Sequence, residues 1–132
     1  MSKYFIQQGD CLELMKKIPD KSIDMILCDL PYGTTKNKWD SLIDLDLLWN
    51  LYKRIIKQNG CIALFAQQPF ASVLGNSNLE MLKYEWVWEK PMATGRLNCN
   101  FAPMKAHELI LIFSKSAASY VKDKRKAMNY NP

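Results

Sequence analysis

The sequence predicts an α/β fold, in which a mostly parallel sheet ends in a C-terminal antiparallel strand pair and carries helices on both faces. Short apolar runs of strand length alternate with segments whose apolar residues recur at helical spacing. After the third such helix, two strand-like runs follow each other with only a loop between them. Chemically reactive residues come directly after two of the predicted strands, which is where open α/β sheets bind ligands.

The N-terminal segment predicts a strand over residues 3–8, followed by a short helix. Asp10 stands where a helix N-cap is expected, and Glu13 three positions later completes a capping box. Pro19 ends this helix. Residues 23–28 form a compact apolar run, which is typical of a buried strand. The residues after that run are therefore expected at the carboxyl edge of the sheet.

The rest of the chain continues the alternation. Apolar pairs recur every four residues over 47–56, which predicts an amphipathic helix, and Asn59-Gly60 is expected to stop it. Pro69 suits the first turn of the next helix. The side chains expected to face inward from that helix are Phe70, Val73 and Leu74. The remaining predicted elements are strands over residues 61–66, 84–88 and 109–113 and a loop over residues 91–104.

Composition limits the chain to one ordinary globular domain. The 132 residues are 48% apolar and carry a formal net charge of +5. This charge suits an acidic partner such as nucleic acid, although a solvated basic surface explains it as well. We place the domain at residues 1–115 and a basic tail at residues 116–132. The basic residues of the tail are Lys122, Lys124, Arg125 and Lys126.

The cysteines predict neither a metal site nor disulfides. None of them forms a C-x-x-C pair, and His107 is the single histidine that could join them. The sequence has no signal peptide and no long apolar run, so we expect a cytoplasmic protein with free thiols and no membrane association. The cysteines are Cys11, Cys28, Cys61 and Cys99.

The segment from Asp29 to Tyr32 suits a planar base that bears an exocyclic amine. The carboxylate of Asp29 and the backbone carbonyl of Leu30 can each accept a hydrogen bond from the amine. Pro31 stiffens the turn, and the ring of Tyr32 can stack on the base. Accepting both protons draws the nitrogen lone pair out of conjugation, so that the nitrogen can attack a sulfonium methyl group in line.

Taken alone, the same tetrapeptide is an ordinary turn after a strand. Its context favours the chemical interpretation, because it ends a strand and comes one strand after Gly9-Asp10. Short motifs match by chance, so the remaining sequence has to supply further support.

Seven stretches together resemble the beta-ordered DNA amino-methyltransferases, especially the phage and prophage enzymes that methylate adenine N6. The resemblance implies a partial Rossmann-like methyltransferase sheet, S-adenosyl-L-methionine as cofactor and DNA as partner. The family's usual tetrapeptide is Asp-Pro-Pro-Tyr, and Leu30 replaces the first proline while keeping the backbone carbonyl that acts there. The matching stretches are Gly-Asp-Cys-Leu-Glu-Leu (9–14), Ser-Ile-Asp-Met-Ile-Leu-Cys-Asp-Leu-Pro-Tyr-Gly-Thr-Thr (22–35), Lys-Trp-Asp (38–40), Gln-Pro-Phe (68–70), Trp-Val-Trp-Glu-Lys (86–90), Ala-Thr-Gly (93–95) and His-Glu (107–108).

The resemblance implies a role for each residue of the tetrapeptide. Asp29 and the Leu30 carbonyl hold the target amine, Pro31 shapes the turn, and Tyr32 stacks on the flipped base. Asp29 also borders the cofactor. Asp10 resembles the acidic residue near the cofactor's adenosine, although a simple N-cap role explains it equally well.

Two lysines and a tryptophan come after the tetrapeptide. Lys36 and Lys38 are candidates for contacts with DNA phosphates, and a solvated loop explains them equally well. We expect Trp39 to pack against the sheet. No metal ligand is assigned.

Three further aromatic or titratable positions are expected to be structural. Trp86 and Trp88 alternate along a predicted strand and are interpreted as core residues. His107-Glu108 opens the last strand, and we interpret the pair as structural because His107 has no evident partner.

The chain lacks one motif that the resemblance implies. The family's F-x-G-x-G loop approaches the methionine end of the cofactor, which only glycine permits. No two glycines here are spaced as G-x-G. We therefore expect a truncated form, a split gene product or a degenerate prophage remnant. We do not expect such a chain to be active alone. We expect it to form a homodimer or to pair with a companion chain that carries the missing half.

Other functions remain as alternatives. A non-catalytic module would grip DNA through Tyr32 and basic loops, and cofactor binding separates it from an enzyme. Cytosine-N4 methylation is the nearest catalytic competitor, although its motif more often begins with Ser. Amide-nitrogen or RNA methyltransferases more often carry Asn in place of Asp29. Cytosine-C5 chemistry is excluded because no Pro-Cys nucleophile is present.

Overall fold

The computed structural model describes residues 4–33, 41–119 and 121–130, and within them it contains a mixed sheet and three α-helices. No helix in these ranges is long and apolar enough to cross a membrane. Two short 3-10 helices cover Arg96–Asn98 and Lys124–Lys126. The main elements are α1 (Cys11–Met15), β1 (Ile23–Asp29), α2 (Leu45–Ile55), β2 (Ile56–Ala66), α3 (Phe70–Ser77), β3 (Leu82–Thr94) and β4 (Lys105–Phe113).

The sheet has the strand order β1-β2-β4-β3. β1 and β2 pair in parallel, whereas β4 runs antiparallel to both of its neighbours. Strands β1, β2 and β3 therefore point in one direction, and β3 and β4 form the predicted antiparallel pair. The carboxyl ends of β1, β2 and β3 lie beside the start of β4, and this line of strand ends is the carboxyl edge of the sheet.

One face of the sheet carries the main core. Helix α2 buries an apolar stripe that includes Trp49, whose ring lies 4.7 Å from the ring of Phe113. The indole N–H of Trp49 donates to Ser77 Oγ at 2.8 Å, which satisfies its polar group inside the core. Residues of α1, α2 and α3 share this one apolar cluster. The expectation of helices on both faces is therefore wrong for the described residues.

The second face of the sheet is largely open. Ala63, Ile112 and Met128 form a small buried cluster there. On β1, Met25 and Leu27 are 52% and 62% exposed, so the prediction of a buried strand holds for only one of its faces. A strand buries both faces only when elements pack on both sides.

The same open face corrects the interpretation of the two tryptophans. Trp86 and Trp88 are each 48% exposed, so neither is a core residue. Their alternation places both on the second face, where cross-strand partners on β4 are Ile110 and Glu108. Among the described residues the helices pack on the other face of the sheet, so both rings keep about half of their surface exposed and the prediction of burial failed.

Asn59-Gly60 does not stop helix α2. The helix ends at Ile55, and β2 begins at the next residue, so the pair lies inside the strand. A Cβ on Gly60 would lie 2.6 Å from Ile56 Cγ1 and 2.9 Å from the backbone oxygen of Asp24. The glycine is therefore required for close approach of β1 and β2 at an irregularity in their register.

We expect Gly60→Ala to lower the free energy of unfolding by roughly 1–3 kcal/mol, because the new methyl group overpacks the contact with Ile56 and a backbone oxygen. Urea denaturation followed by circular dichroism measures the change. Gly75→Ala is the matched control, since its Cβ would meet Leu82 Cδ2 at an ordinary 3.6 Å. Equal stability of the Gly60 variant and the wild type would refute the close-approach explanation.

Several other expectations about local structure are wrong or only partly met. Residues 4–8 form no strand and are exposed, which contradicts the strand predicted there. Val73 is exposed, whereas Phe70 and Leu74 face inward as predicted. The predicted loop over 91–104 is shorter, because the hairpin pairing continues to Thr94 opposite Lys105. The tail packs against the sheet, since the backbone N–H of Asn129 donates to the Asn59 carbonyl at 2.9 Å.

Candidate active site

The tetrapeptide that begins at Asp29 lies at the carboxyl edge. Asp29 is the last residue of β1, and its side chain is exposed. Leu30 is buried in the main core and anchors the turn, while Pro31 and Tyr32 are half-buried. Local sequence explains this arrangement: an apolar strand ends, one apolar side chain turns inward, and a proline restricts the backbone of the turn.

Tyr32 is held against Asp29 and against helix α3. Its hydroxyl donates to Asp29 Oδ1 at 2.7 Å. Its ring centroid lies 5.3 Å from that of Phe70, with 30° between the planes. Burial raises the pKa of Tyr32, and the hydrogen bond to Asp29 and the negative charges of Asp29 and Glu108 raise it further. The hydroxyl therefore remains a donor at neutral pH.

A second polar group lies at the same edge and is centred on Glu108, which we interpreted from the sequence as structural. Glu108 Oε1 accepts hydrogen bonds from Gln67 Nε2 at 2.7 Å and from Lys90 Nζ. Burial alone raises the pKa of Glu108, but the hydrogen bonds from Lys90 and Gln67 and the charge of Lys90 outweigh it, so its pKa lies below the ordinary value. Glu108 is therefore ionised at neutral pH, and the network weakens only as the pH falls through that lowered pKa.

A small cavity adjoins this group. It has a volume of about 180 Å³ and lies between the end of β2 and the start of β4. Its polar lining residues are Gln67, Gln68, Lys105, His107 and Glu108. These donors and acceptors share the lining with apolar surface from Ala66 and Leu109.

Trp88 contacts both Lys90 and Phe65, the last residue but one of β2. Lys90 Nζ lies 5.1 Å from the centre of the Trp88 ring, a cation–π distance. The Trp88 ring meets Phe65 edge-on at 5.7 Å, and Phe65 is the cross-strand partner of Asp29.

Asp10 has a clear structural role. Its Oδ1 accepts from the backbone N–H groups of Leu12 at 2.8 Å and Glu13 at 3.2 Å, so it caps α1 as predicted. Glu13 forms an ion pair with Lys16 at 2.7 Å. Asp10 is exposed, and its other carboxylate oxygen is available to a ligand hydroxyl. A cofactor role for Asp10 stays a prediction.

The structure brings some predicted site residues together and leaves others undecided. Residues 29–32 form one turn, and the ring of Phe70 on α3 packs against Tyr32 of that turn. Lys36, Lys38 and Trp39 lie outside the described residues. Within the described ranges, no group of three or more His, Cys, Asp or Glu side chains is placed to hold a metal ion. The four cysteines are free.

Comparisons with known proteins identify the family of the chain. A family model described as DNA methylase, of the N6/N4 type, matches residues 23–132. The DNA adenine methyltransferase YhdJ of Escherichia coli strain K12 is 30% identical over 128 aligned residues, which cover 87% of this chain and 42% of that protein. The chain spans less than half the length of the curated relatives it matches.

Solved structures share the fold. The PvuII DNA methyltransferase, which is cytosine-N4-specific, superposes with a TM-score of 0.64 at 16% identity over 82% of this chain and 48% of its own. A complex of M1.HpyAVI with SAM gives a TM-score of 0.61 at 22% identity over 92% of this chain and 60% of its own. The sheet is thus the α/β sheet of methyltransferases. From the match over residues 23–132, the chain belongs to the N6/N4 DNA methylase family.

Proposed function

We propose that this chain supplies the base-binding half of an S-adenosylmethionine-dependent DNA amino-methyltransferase that acts on adenine N6. The observation that supports it most is the turn at the end of β1, where Tyr32 bridges Asp29 and Phe70. Such a turn offers a carboxylate acceptor beside an aromatic surface. A base with an exocyclic amine needs both.

The residues of the turn would act in sequence. Tyr32 would stack on the flipped base, while the Asp29 carboxylate and the Leu30 carbonyl would each accept a hydrogen bond from the target amine. Bound cofactor supplies an electrophilic methyl group on sulfur. The amine nitrogen would become more acidic as it takes up that methyl group from sulfur, and Asp29 would be placed to receive or relay the proton that the nitrogen loses.

The described residues fit only part of a cofactor site. The exposed carboxylates of Asp10 and Asp29 suit hydroxyl or ammonium groups of S-adenosylmethionine. The chain's glycines, at positions 9, 33, 60, 75 and 95, include no G-x-G turn to receive the methionine end. We therefore propose that the cofactor site is completed by residues outside the present sequence.

The open sheet surface supports a companion. The outer edge of β1 pairs with no strand among the described residues, and Met25 and Leu27 expose apolar surface beside it. Unpaired edges and apolar patches are association sites. We propose that a companion chain, or a second copy of this one, covers this surface and that the assembly acts on DNA in the cytoplasm.

Adenine is the proposed target because Asp29 begins the tetrapeptide and because YhdJ, the relative that is 30% identical, is a DNA adenine methyltransferase. Cytosine N4 is the second candidate, supported by the fold similarity to the PvuII enzyme. Both bases present an exocyclic amine, so the turn alone does not separate them.

Base choice is tested with the chain and two fluorescent duplexes. Each carries an unpaired base analogue opposite an abasic site, either 2-aminopurine for adenine or pyrrolocytosine for cytosine. We expect the chain to quench 2-aminopurine more strongly, because stacking on an aromatic ring quenches it. Stronger quenching of pyrrolocytosine would favour cytosine N4. Binding without quenching of either analogue would overturn base binding itself.

A further inference from the structure

Glu108 occupies the centre of a polar network at the carboxyl edge of the sheet. Its side chain is only 12% exposed, and its Oε1 accepts from both Gln67 and Lys90. A largely buried ion pair contributes little net stability compared with apolar side chains of the same volume. Its location at the carboxyl edge therefore calls for a second explanation.

The first connection runs through Gln67 to the aromatic ring pair. Gln67 directly follows β2, and its backbone carbonyl accepts from the Ala71 N–H at 2.8 Å in the first turn of α3. That turn carries Phe70, which packs against Tyr32 at 5.3 Å. Holding Gln67 therefore fixes how the β2–α3 connection presents Phe70 to Tyr32.

The second connection runs through Lys90 to Asp29. Lys90 is shared between the Glu108 carboxylate and the face of the Trp88 ring, 5.1 Å away. Trp88 packs on Phe65, and Phe65 pairs across the sheet with Asp29. The two side chains that donate to Glu108 thus lead to the two ends of the same turn: Gln67 leads to Tyr32, and Lys90 leads to Asp29.

We propose that Glu108 is a positioning residue of the base-binding site. Through Gln67 and Lys90, it fixes the position of the Tyr32–Phe70 ring pair relative to Asp29. This proposal rests on the proposed function, because it assigns Glu108 to the same site. Glu108 touches neither the base nor the cofactor in this role. Its removal should impair base stacking far more than general DNA affinity or folding.

The test compares Glu108→Ala and Glu108→Gln with Glu89→Ala. Glutamine keeps an acceptor oxygen for Gln67, so it should rescue most of the function that alanine loses. Glu89 is an exposed carboxylate on β3 opposite His107, and it serves as the matched control. Four properties are measured on the full chain: the thermal midpoint, the nuclear Overhauser contacts between Tyr32 and Phe70, affinity for an abasic-site duplex, and quenching of its 2-aminopurine.

For Glu108→Ala we expect weakened Tyr32–Phe70 contacts and loss of at least about half of the quenching, with duplex affinity within about threefold of wild type because phosphate contacts dominate affinity. The thermal midpoint should fall in part, because Lys90 loses its ion-pair partner and keeps only its contact with the Trp88 ring. Glu108→Gln and Glu89→Ala should resemble the wild type.

Three outcomes would overturn the assignment. Unchanged ring contacts and quenching in Glu108→Ala would show that the carboxylate does not position the turn. A parallel fall in the thermal midpoint and all other signals would show that Glu108 serves fold stability alone. Equal damage from glutamine and alanine would contradict the role of the acceptor oxygen. If the wild type itself fails to quench, the base-binding function fails, and the ring contacts still decide the positioning claim.

Discussion

Asp29→Asn is expected to reduce methyl transfer by roughly a hundredfold or more, which is the loss typical of removing one preorganised contact to the reacting group. Tyr32 explains why asparagine is a poor substitute. Its hydroxyl donates to Asp29 Oδ1 at 2.7 Å, so an asparagine that keeps this hydrogen bond turns its carbonyl oxygen towards Tyr32. The amide NH2 would then face the target amine, donor against donor.

The measurement is transfer of labelled methyl groups to DNA by the assembly in which a companion completes the cofactor site. Asp24→Asn is the matched control, since Asp24 is also on β1 and pairs with Lys57 at 2.7 Å away from the turn. Its variant should keep normal transfer. Near-normal transfer by Asp29→Asn would contradict the role assigned to its carboxylate.

Tyr32→Ala is expected to lose roughly 1–3 kcal/mol of base binding, the usual contribution of one base stacked on an aromatic ring. Tyr32→Phe should keep most of it, because the ring against Phe70 remains. The hydrogen bond to Asp29 is lost in both variants, so their difference isolates the ring.

Titration of a 2-aminopurine duplex measures both Tyr32 variants. Tyr130→Ala serves as the control for removing an exposed tyrosine, because Tyr130 lines a cavity on the second face together with Tyr84 and Trp86. If phenylalanine proves as damaging as alanine, the hydroxyl and not the ring carries the effect.

Features set by neighbouring residues were predictable from the sequence. Asp10 caps α1 because its carboxylate reaches backbone N–H groups two and three residues on. The turn at Asp29 comes after an apolar strand, and Leu30 packs inward as the next apolar side chain. Each of these depends on local chemistry, so a local pattern suffices.

Features that depend on distant partners were missed. Glu108 meets Gln67 across 41 residues and Lys90 across 18, and no spacing rule connects them. Alternation placed Trp88 on a strand, but whether its face is covered depends on elements far away in the sequence. Gly60 resembled a helix stop, whereas its function is the close approach of a strand that precedes it by more than thirty residues.

This chain is proposed to hold the base-binding half of the site and to need a companion for the cofactor. Its open surface should also make the chain self-associate, and Leu27→Lys should reduce that association because Leu27 is exposed on β1. Light scattering on the purified chain and on this variant measures both.

The most direct measurement is isothermal titration of the purified chain with S-adenosylmethionine, with light scattering on the same sample. We expect no heat of binding at micromolar cofactor, because no G-x-G turn receives the methionine end, and a mass above that of a monomer. Micromolar binding by a clean monomer would contradict the need for a companion, and would mean that residues here assigned to the fold build a complete cofactor pocket.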